Sequence, residues 1–286
     1  VRGSLTNRQA IEQALTGVNG IVHAAAKVSV SGDWRDYERV NIEGTKSLLD
    51  AAVEHAIPKF LYISSPSVAH AGAALVGAGN GDASPEHARG NYARSKAVAE
   101  KAVLQMNGTA LSTGEHLCTG ALRPHLIWGP GDTQLVERIL ERARAGRLPL
   151  LSGGTGLIDT LYIDNAADAV VHGYERLEEL AGRAVVVTNG QPRTVAELMS
   201  GFCTAVGVPA PRFSVPAPMA VVAGHLIEKV WALLPHSVTA GDEPPMTGFL
   251  AEQLSTAHWF DQRNTRELLG WEPAVSIEEG YERLRL

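Results

Sequence analysis

The sequence predicts an α/β protein in which helices cover both faces of a parallel β-sheet, with a smaller C-terminal region added to it. Strand-like and helix-like segments alternate along the first 127 residues, and strands joined by helical crossovers pair in parallel. The run F-L-Y-I at 60–63 is apolar at every position, which is typical of a strand buried on both faces.

The elements of the first half follow in order. Apolar spacing predicts helices at 7–18 and 36–56 and strands at 20–24 and 59–64. Pro58 ends the second of these helices because proline cannot continue the hydrogen-bond ladder.

The segment 68–90 is rich in Gly and Ala, and we expect either a lid over a site or a disordered insertion. A helix at 92–107 and a strand at 121–127 come next, and proline-rich punctuation at 209–218 and 244–245 marks the C-terminal region. We therefore assign 1–127 with 156–190 to the sheet domain. The remaining residues, 128–155 and 191–286, are assigned to a substrate domain.

Composition excludes several classes of function. The net charge is −6 over 286 residues, which argues against a nucleic-acid or anionic-lipid partner. Cys118 and Cys203 lie far apart without a metal-ligand pattern, and no secretory signal is visible, so we expect a reducing, cytoplasmic location. Asp159, Asp164 and Asp168 do not follow a Ca²⁺-loop pattern, and no metal site is predicted.

Two further segments have ordinary explanations. Arg138, Arg142, Arg144 and Arg147 alternate with acidic residues, which favours a solvated helix face. The apolar stretch 219–234 is shorter than a membrane span and contains three polar residues, so we expect a packed helix, with a contact to lipid as the alternative.

The most informative motif is Y-A-R-S-K at 92–96. On a helix, the i,i+4 spacing brings Tyr92 and Lys96 to one face, and a neighbouring cation lowers the pKa of a tyrosine. Tyr92 is therefore a candidate general acid or base, and Lys96 the group expected to lower its pKa.

Five ordered segments around this motif resemble the extended, epimerase-like branch of the short-chain dehydrogenase/reductase superfamily, a Rossmann-type doubly wound fold. The segments are V-H-A-A-A at 22–26, V-N-I-E-G-T at 40–45, Y-I-S-S-P-S-V at 62–68, L-R-P with G-P-G-D at 122–132, and Y-I-D-N-A-A-D-A at 162–169. The resemblance implies NAD or NADP as cofactor and a homodimer formed through the helices at 36–56 and 92–107.

The resemblance also implies the roles of individual residues. The catalytic candidates are Ser65, Tyr92, Lys96 and Asn41, with Ser64 replacing Ser65 if the register shifts by one. For Asn41, a bond to the backbone is an equally good interpretation. The predicted cofactor-binding residues are Ser4, Leu5, Ala24, Ala25, Ala26, Ser64, Tyr92, Lys96, Pro124, Leu126 and Ile127. His23 and His125 lie at predicted strand ends, where a structural role is the more common one.

The family's first βαβ unit, with its Gly-x-x-Gly-x-x-Gly turn, does not lie in this sequence. The opening V-R-G-S-L-T-N resembles the segment after the family's third strand, so roughly sixty residues of the pattern are expected to be missing. Ser4 stands where the family usually has an aspartate facing adenine, which puts that contact in doubt.

The residues at 123–132 distinguish between two families with different substrates. Nucleotide-sugar epimerases usually carry an asparagine where this chain has Leu126, which cannot make that polar contact. The segment instead resembles the 3β-hydroxysteroid dehydrogenase family, and within it the bacterial 2-alkyl-3-oxoalkanoate reductases.

We therefore expect an oxidoreductase that interconverts a ketone and a secondary alcohol. Its substrate is hydrophobic, a 2-alkyl-3-oxoalkanoate or a 3β-hydroxysteroid, with 215–234 and 246–254 as apolar pocket walls. A nucleotide-sugar epimerase or dehydratase, and a non-catalytic binding protein of the same fold, are the alternatives.

Overall fold

A computed structural model of the protein describes residues 1–28, 32–70, 74–233 and 248–285. Its helices are α1 (Arg8–Leu15), α2 (Trp34–Tyr37), α3 (Gly44–Glu54), α4 (Gly90–Gln105), α5 (Val136–Arg144), α6 (Ile163–Glu175), α7 (Leu177–Leu180), α8 (Val195–Ala205), α9 (Ala217–Leu233), α10 (Gly248–Gln253), α11 (Arg263–Leu269) and α12 (Ile277–Arg283). Its strands are β1 (Ile21–His23), β2 (Lys59–Ile63), β3 (Leu75–Ala78), β4 (Cys118–Pro124), β5 (Ile127–Trp128), β6 (Leu150–Leu151), β7 (Leu157–Ile158), β8 (Leu161–Tyr162), β9 (Ala184–Val187), β10 (Arg193–Thr194), β11 (Ser214–Val215) and β12 (His258–Phe260).

The central sheet is parallel, as the alternation of strands and helices predicted. Over the described residues its strand order is β1-β2-β4-β9. His23 pairs with Tyr62, and Tyr62 in turn pairs with Ala121. The carboxyl ends of β1, β2 and β4 therefore lie side by side at one edge of the sheet.

Each face of this sheet has its own apolar core, because side chains alternate along a strand. Phe60 and Tyr62 pack with α1, α3 and α4 on one face. Leu61 packs with α6, α7 and α11 on the opposite face. This confirms the interpretation of the 60–63 run as a strand buried on both sides.

The helix predicted at 36–56 is present but interrupted. Asp33 caps α2 through its side chain, a π-helical segment covers Glu38–Glu43, and α3 completes the run. A π-helical segment inside an α-helix often marks a functional position. Here it contains Asn41, one of the candidate site residues.

A second sheet corrects the expectation for 68–90. Its order over the described residues is β10-β7-β12-β3, and β3 lies within that segment, parallel to β12 near the C-terminus. The described part of 68–90 is therefore neither a free lid nor a disordered insertion. It joins the C-terminal part of the chain to the central fold.

The C-terminal part is held by an aromatic cluster beneath β5. The ring of Trp128 lies 4.9 Å from Phe202 and 5.3 Å from Tyr162, measured between centroids. Helices α5, α8 and α12 pack around this cluster. The division into a sheet domain and a substrate domain stays a prediction.

The apolar stretch predicted as one packed helix is α9 up to Leu233; its last residue, Leu234, lies outside the described residues. One face of α9 packs against α10, while the opposite face leaves Met219, Val222, Leu226 and Val230 exposed. None of the helices in the described ranges has the length and hydropathy needed to cross a bilayer.

We expect Leu61→Ala to lower the free energy of unfolding by about 2–5 kcal/mol, because it leaves a cavity in a fully buried position of the middle of the sheet. Leu157→Ala, at a position that is 38 % exposed, should change it by less than about 1 kcal/mol. Urea unfolding followed by circular dichroism measures both. Equal losses in the two variants would contradict the assignment of the core.

Candidate active site

The carboxyl ends of β1, β2 and β4 support a group of polar side chains. In open parallel sheets, ligands bind at this edge of the strands. Ser64 and Ser65 follow β2, and the end of β4 carries Arg123 and Pro124. The start of α4 lies over the same edge and brings Tyr92 to it.

Ser65 is held at the point where β2 gives way to a short 3₁₀ turn. Its hydroxyl accepts a hydrogen bond from the Ser67 backbone N–H at 3.3 Å and lies 2.9 Å from the Ser67 hydroxyl. Ser65 also acts on the phenol of Tyr92, whose pKa it lowers. The buried hydroxyl of Ser64, one residue earlier, has no hydrogen-bond partner.

Tyr92 occupies the first turn of α4, and burial raises the pKa of its phenol, while the hydrogen bond from Ser65 partly opposes that rise. Lys96 Nζ instead donates to the Ile63 carbonyl at 2.6 Å and lies 4.1 Å from the centre of the Tyr62 ring. The expectation that Lys96 lowers the pKa of Tyr92 is therefore wrong for this structure, because desolvation of the phenol is the larger effect.

Lys96 is itself buried, with 2 % of its surface exposed. Desolvation lowers the pKa of its ammonium to about 7, and the nearby Glu100 carboxylate acts in the opposite direction. Lys96 thus changes charge in the neutral pH range rather than remaining a permanent cation.

Glu100, four residues after Lys96 on α4, forms a buried ion pair with Arg123. Arg123 Nε and Nη2 reach the two Glu100 oxygens at 2.9 and 2.5 Å, and both side chains are at most 1 % exposed. The remaining nitrogen, Nη1, donates to the carbonyls of Asn80 and Gly81. The pair therefore connects α4, β4 and the segment after β3.

Asn41 is buried and bonds to two other parts of the site. It accepts from the Lys27 N–H at 2.7 Å and donates to the Lys27 carbonyl at 3.1 Å and to Ser95 Oγ at 2.9 Å. Ser95 in turn donates to the Tyr92 carbonyl at 2.8 Å. These bonds fit the backbone-bonding interpretation of Asn41, and its proton-relay role stays a prediction.

His23 has a structural environment. Thr45 Oγ1 donates to the Asn41 carbonyl, so the ring Nε2–H of His23 donates to Thr45, at 2.9 Å. Burial, with a smaller contribution from Lys96, lowers the pKa of His23 to about 4. The ring is thus neutral at physiological pH.

Ser65 and Tyr92 line a cavity of about 600 Å³. Pro124, His125 and Leu126 line the same cavity, and so do His258 and Phe260 of β12. Leu126 has a φ of 47°, a left-handed conformation that is strained for a branched residue and frequent at binding sites.

The two ring nitrogens of His125, which lines this cavity, have different roles. Its Nδ1 bonds to the Asp159 carbonyl at 2.7 Å and must donate that bond, so Nε2 is a hydrogen-bond acceptor. Burial lowers the pKa of His125 to about 4 and keeps the ring neutral.

The other predicted cofactor-binding residues do not line this cavity. Ala24 and Ala25 are exposed at the end of β1, and Ile127 is exposed at the start of β5. These uncovered apolar positions, together with the unpaired Ser64 hydroxyl, fit a dinucleotide lying along the strand ends. Ser4 is exposed and bonded to Thr6, while Leu5 packs against Gly44, and neither lines the cavity.

Several residues of the site were not predicted. His70, His258 and Phe260 line the cavity and come from segments distant in sequence. Glu100 follows Lys96 by four residues, and that i,i+4 spacing was a usable signal. The expected apolar walls at 215–234 and 246–254 instead contribute the polar His225, Glu228, Glu252 and Gln253 to this cavity, while 234–247 lies outside the described residues.

Comparison with known proteins gives consistent matches over the chain. The model of the 3-beta hydroxysteroid dehydrogenase/isomerase family matches residues 1–217. The 2-alkyl-3-oxoalkanoate reductase of Stenotrophomonas maltophilia is 40% identical over 290 residues, covering 100% of this chain and 85% of that protein. The reductase of the same name from Shewanella oneidensis is 37% identical, covering 100% of this chain and 74% of that protein.

A solved structure supports the fold. UDP-glucuronic acid 4-epimerase from Bacillus cereus, in complex with NAD, has a TM-score of 0.70 and 20% sequence identity, over 99% of this chain and 78% of that chain. The chain therefore belongs to the 3-beta hydroxysteroid dehydrogenase/isomerase family, and it is an NAD(P)-dependent oxidoreductase with an epimerase-like α/β fold. The predicted family, fold class, enzyme class and cofactor class are confirmed.

We expect wild-type stability to fall as the pH falls from about 6.5 to 4, in part through His23. The unfolded chain binds a proton on this ring below its ordinary pKa, whereas the folded chain does so only near 4. His23→Gln keeps a donor for Thr45 and should lose about 2 kcal/mol less than wild type between pH 7.5 and 5. Urea unfolding at the two pH values measures this, and identical losses would rule out a buried neutral His23.

We expect Arg123→Met to lower the free energy of unfolding by about 3–5 kcal/mol, because it leaves Glu100 buried without its partner. The double variant Arg123→Met with Glu100→Leu removes both charges and should be less destabilised than either single variant. Urea unfolding of wild type, the two single variants and the double variant gives the double-mutant cycle. Strictly additive losses would show that the two side chains do not interact.

Proposed function

We propose that this protein is a ketone reductase in which Tyr92 and Ser65 act on the oxygen of a 3-oxo group, and that its substrate is a 2-alkyl-3-oxoalkanoate. The observation that supports the chemistry most directly is that Ser65 and Tyr92 line the same cavity and lie close enough for Ser65 to lower the pKa of the Tyr92 phenol. Two hydroxyl groups at the wall of one cavity can both bond to a single carbonyl oxygen.

Burial gives Tyr92 the role of a proton donor. Because its pKa is raised above the ordinary value, the phenol keeps its proton at neutral pH. As negative charge develops on the substrate oxygen, Tyr92 donates that proton and Ser65 donates a hydrogen bond.

Lys96 and the residues around it hold the acid in position. The Lys96 ammonium bonds to the carbonyl at the end of β2 and fixes α4 against the sheet edge. The chain of bonds from Lys27 through Asn41 and Ser95 reaches the backbone of Tyr92 itself. Asn41 is therefore proposed as a positioning residue.

The cofactor, NAD or NADP, supplies the hydride when bound. The residues proposed to hold it are Lys96, the Ser64 hydroxyl, the Ala24–Ala26 segment, and the strand ends at Pro124, Leu126 and Ile127. Ser4 and Leu5 stay proposals on resemblance alone, since Ser4 bonds to Thr6 and Leu5 packs against Gly44.

Two features support the choice of substrate. The relatives with the highest identities reported above are named as 2-alkyl-3-oxoalkanoate reductases. The cavity combines apolar positions such as Leu75 and Phe260 with charged residues of both signs, and the apolar positions suit a substrate with alkyl chains. Leu126 is apolar at the position where a nucleotide-sugar epimerase usually has an asparagine, which disfavours that alternative.

The assembly and location are proposed with less direct support. A homodimer through 36–56 and 92–107 rests on family resemblance, and a monomer in light scattering would contradict it. The free cysteines Cys118 and Cys203 support a reducing, cytoplasmic location.

We expect Tyr92→Phe to lower kcat by at least about 100-fold, because the variant keeps the ring and loses the proton donor. Nicotinamide absorbance measures turnover of a 2-alkyl-3-oxo acid, and fluorescence titration with NADH or NADPH should show unchanged cofactor affinity. Tyr174→Phe, which lies outside the cavity, is the matched control. Full activity in Tyr92→Phe would contradict the mechanism.

The same assay run with 3β-hydroxysteroids and NAD⁺ or NADP⁺ separates the substrate classes. Turnover of the oxo acid alone supports the proposal, whereas turnover of the steroid alone assigns the enzyme to the steroid branch. Cofactor binding without turnover of any ketone or alcohol supports a non-catalytic binding protein.

A further inference from the structure

A second cavity lies beside the first and shares part of its wall. It measures about 470 Å³, and Gln134 and Arg138, at the start of α5, line both cavities. The C-terminal end of α10 is shared in the same way, because Gln253 lines the first cavity and Leu254 the second. The two cavities are therefore neighbours, with α5 and the end of α10 between them.

The lining of the second cavity combines apolar and charged side chains. Its apolar lining includes Leu135, Ile139, Leu148, Leu151, Met199 and Leu254. Three guanidinium groups, those of Arg138, Arg142 and Arg147, line it as well, with Glu141 as the acidic residue of its lining. An apolar space bordered by guanidinium groups suits an alkyl chain that ends near an anion.

The charges on α5 also favour an anion. Arg138 and Arg142 are one helical turn apart, and both already make polar contacts. Burial, and after it the charge of Arg138, lower the pKa of Arg142, with Glu141 acting in the opposite direction. The first N–H groups of α5 are already occupied, because Asp132 accepts from those of Gln134, Leu135 and Val136. The guanidinium groups, and not the helix terminus, are thus the anion-binding candidates.

We propose that the two cavities bind the two alkyl branches of one substrate, and that Arg138 binds its carboxylate at their shared wall. The proposal rests on the proposed function, in which the 3-oxo group meets Ser65 and Tyr92 in the first cavity. Carbon 2 of such a substrate is bonded to the reacting carbon and carries both the carboxylate and the second alkyl branch. The branch point therefore lies in the first cavity next to the reacting carbon, and Arg138 is the arginine that lines both this cavity and the second one. Arg138 and Arg142 are half-buried and line the second cavity, so they are less solvated than the sequence interpretation predicted, whereas Arg144 and Arg147 are exposed as predicted.

The size of the second cavity can be changed without touching Ser65 or Tyr92. Leu135→Trp adds bulk to a half-buried position that lines this cavity, and Leu254→Trp does so from the opposite element. Leu157→Trp, in neither cavity, is the matched control. The substrates are two 3-oxo acids with the same main chain, one with a 2-methyl and one with a 2-decyl group.

We expect both filling variants to lower kcat/KM for the 2-decyl acid at least tenfold and to change it less than about twofold for the 2-methyl acid. The control variant should resemble wild type with both. Equal effects on the two acids, or no effect on either, would overturn the proposal. Thermal unfolding of each variant verifies that it folds.

The carboxylate contact has its own test. Arg138→Gln should raise KM for the acid about tenfold or more and leave KM for its methyl ester within about twofold, because the ester carries no charge. Arg144→Gln, on the exposed side of α5, is the control and should change neither value. Equal changes for acid and ester would show that Arg138 does not bind the carboxylate.

The failure of the proposed function is distinguishable from the failure of this inference. If wild-type protein turns over neither acid, the proposed function fails. Calorimetric binding of the two acids to wild type and to Leu135→Trp then decides whether the second cavity binds the 2-alkyl branch. Weaker binding of the 2-decyl acid alone to the variant would support the two-branch site. Equal binding of that acid to both proteins would overturn it.

Discussion

The buried ion pair between Arg123 and Glu100 is the interaction on which the rest of the site depends. Two charges removed from water are tolerable only when they are paired and their remaining polar atoms are bonded. Here Nε and Nη2 of Arg123 donate to the two carboxylate oxygens of Glu100. The third nitrogen of Arg123, Nη1, donates to two backbone carbonyls. The position of α4, which carries Tyr92 and Lys96, is thereby coupled to β4 and to the segment after β3. The same carboxylate favours the charged form of Lys96.

The low polarity of the surroundings then determines how the site groups behave. Desolvation raises the pKa of Tyr92 and lowers those of Lys96, His23 and His125, so that each group tends toward its neutral form at pH 7. A protonated tyrosine is a donor, and a neutral His125 that donates through Nδ1 keeps Nε2 as an acceptor. The hydrogen-bonding partners of a substrate are therefore arranged before it binds.

Local patterns were sufficient for the sheet and for the helix that carries Tyr92 and Lys96. The apolar 60–63 run and the helix around Tyr92 and Lys96 each follow from the period of one element, so the sequence predicted both elements correctly. The role of Tyr92 as the acid stays a prediction. Contacts between distant segments had no such signal: β3 pairs with β12 across about 180 residues, and Arg123 finds Glu100 only because β4 and α4 are neighbours in space. The pKa of Tyr92 was misjudged for the same reason, since its burial depends on tertiary packing.

The central claim is that hydride delivery to a 3-oxo carbon is paired with proton donation from Tyr92. The most direct measurement uses NADH or NADPH deuterated at carbon 4 of the nicotinamide, with each face labelled in turn, together with a 2-alkyl-3-oxo acid. Mass spectrometry then locates the label in the product. The account predicts one deuterium on the carbinol carbon for one of the two labelled faces, and product loss in Tyr92→Phe. A product without deuterium from either face, or unchanged labelling and rate in Tyr92→Phe, would contradict it.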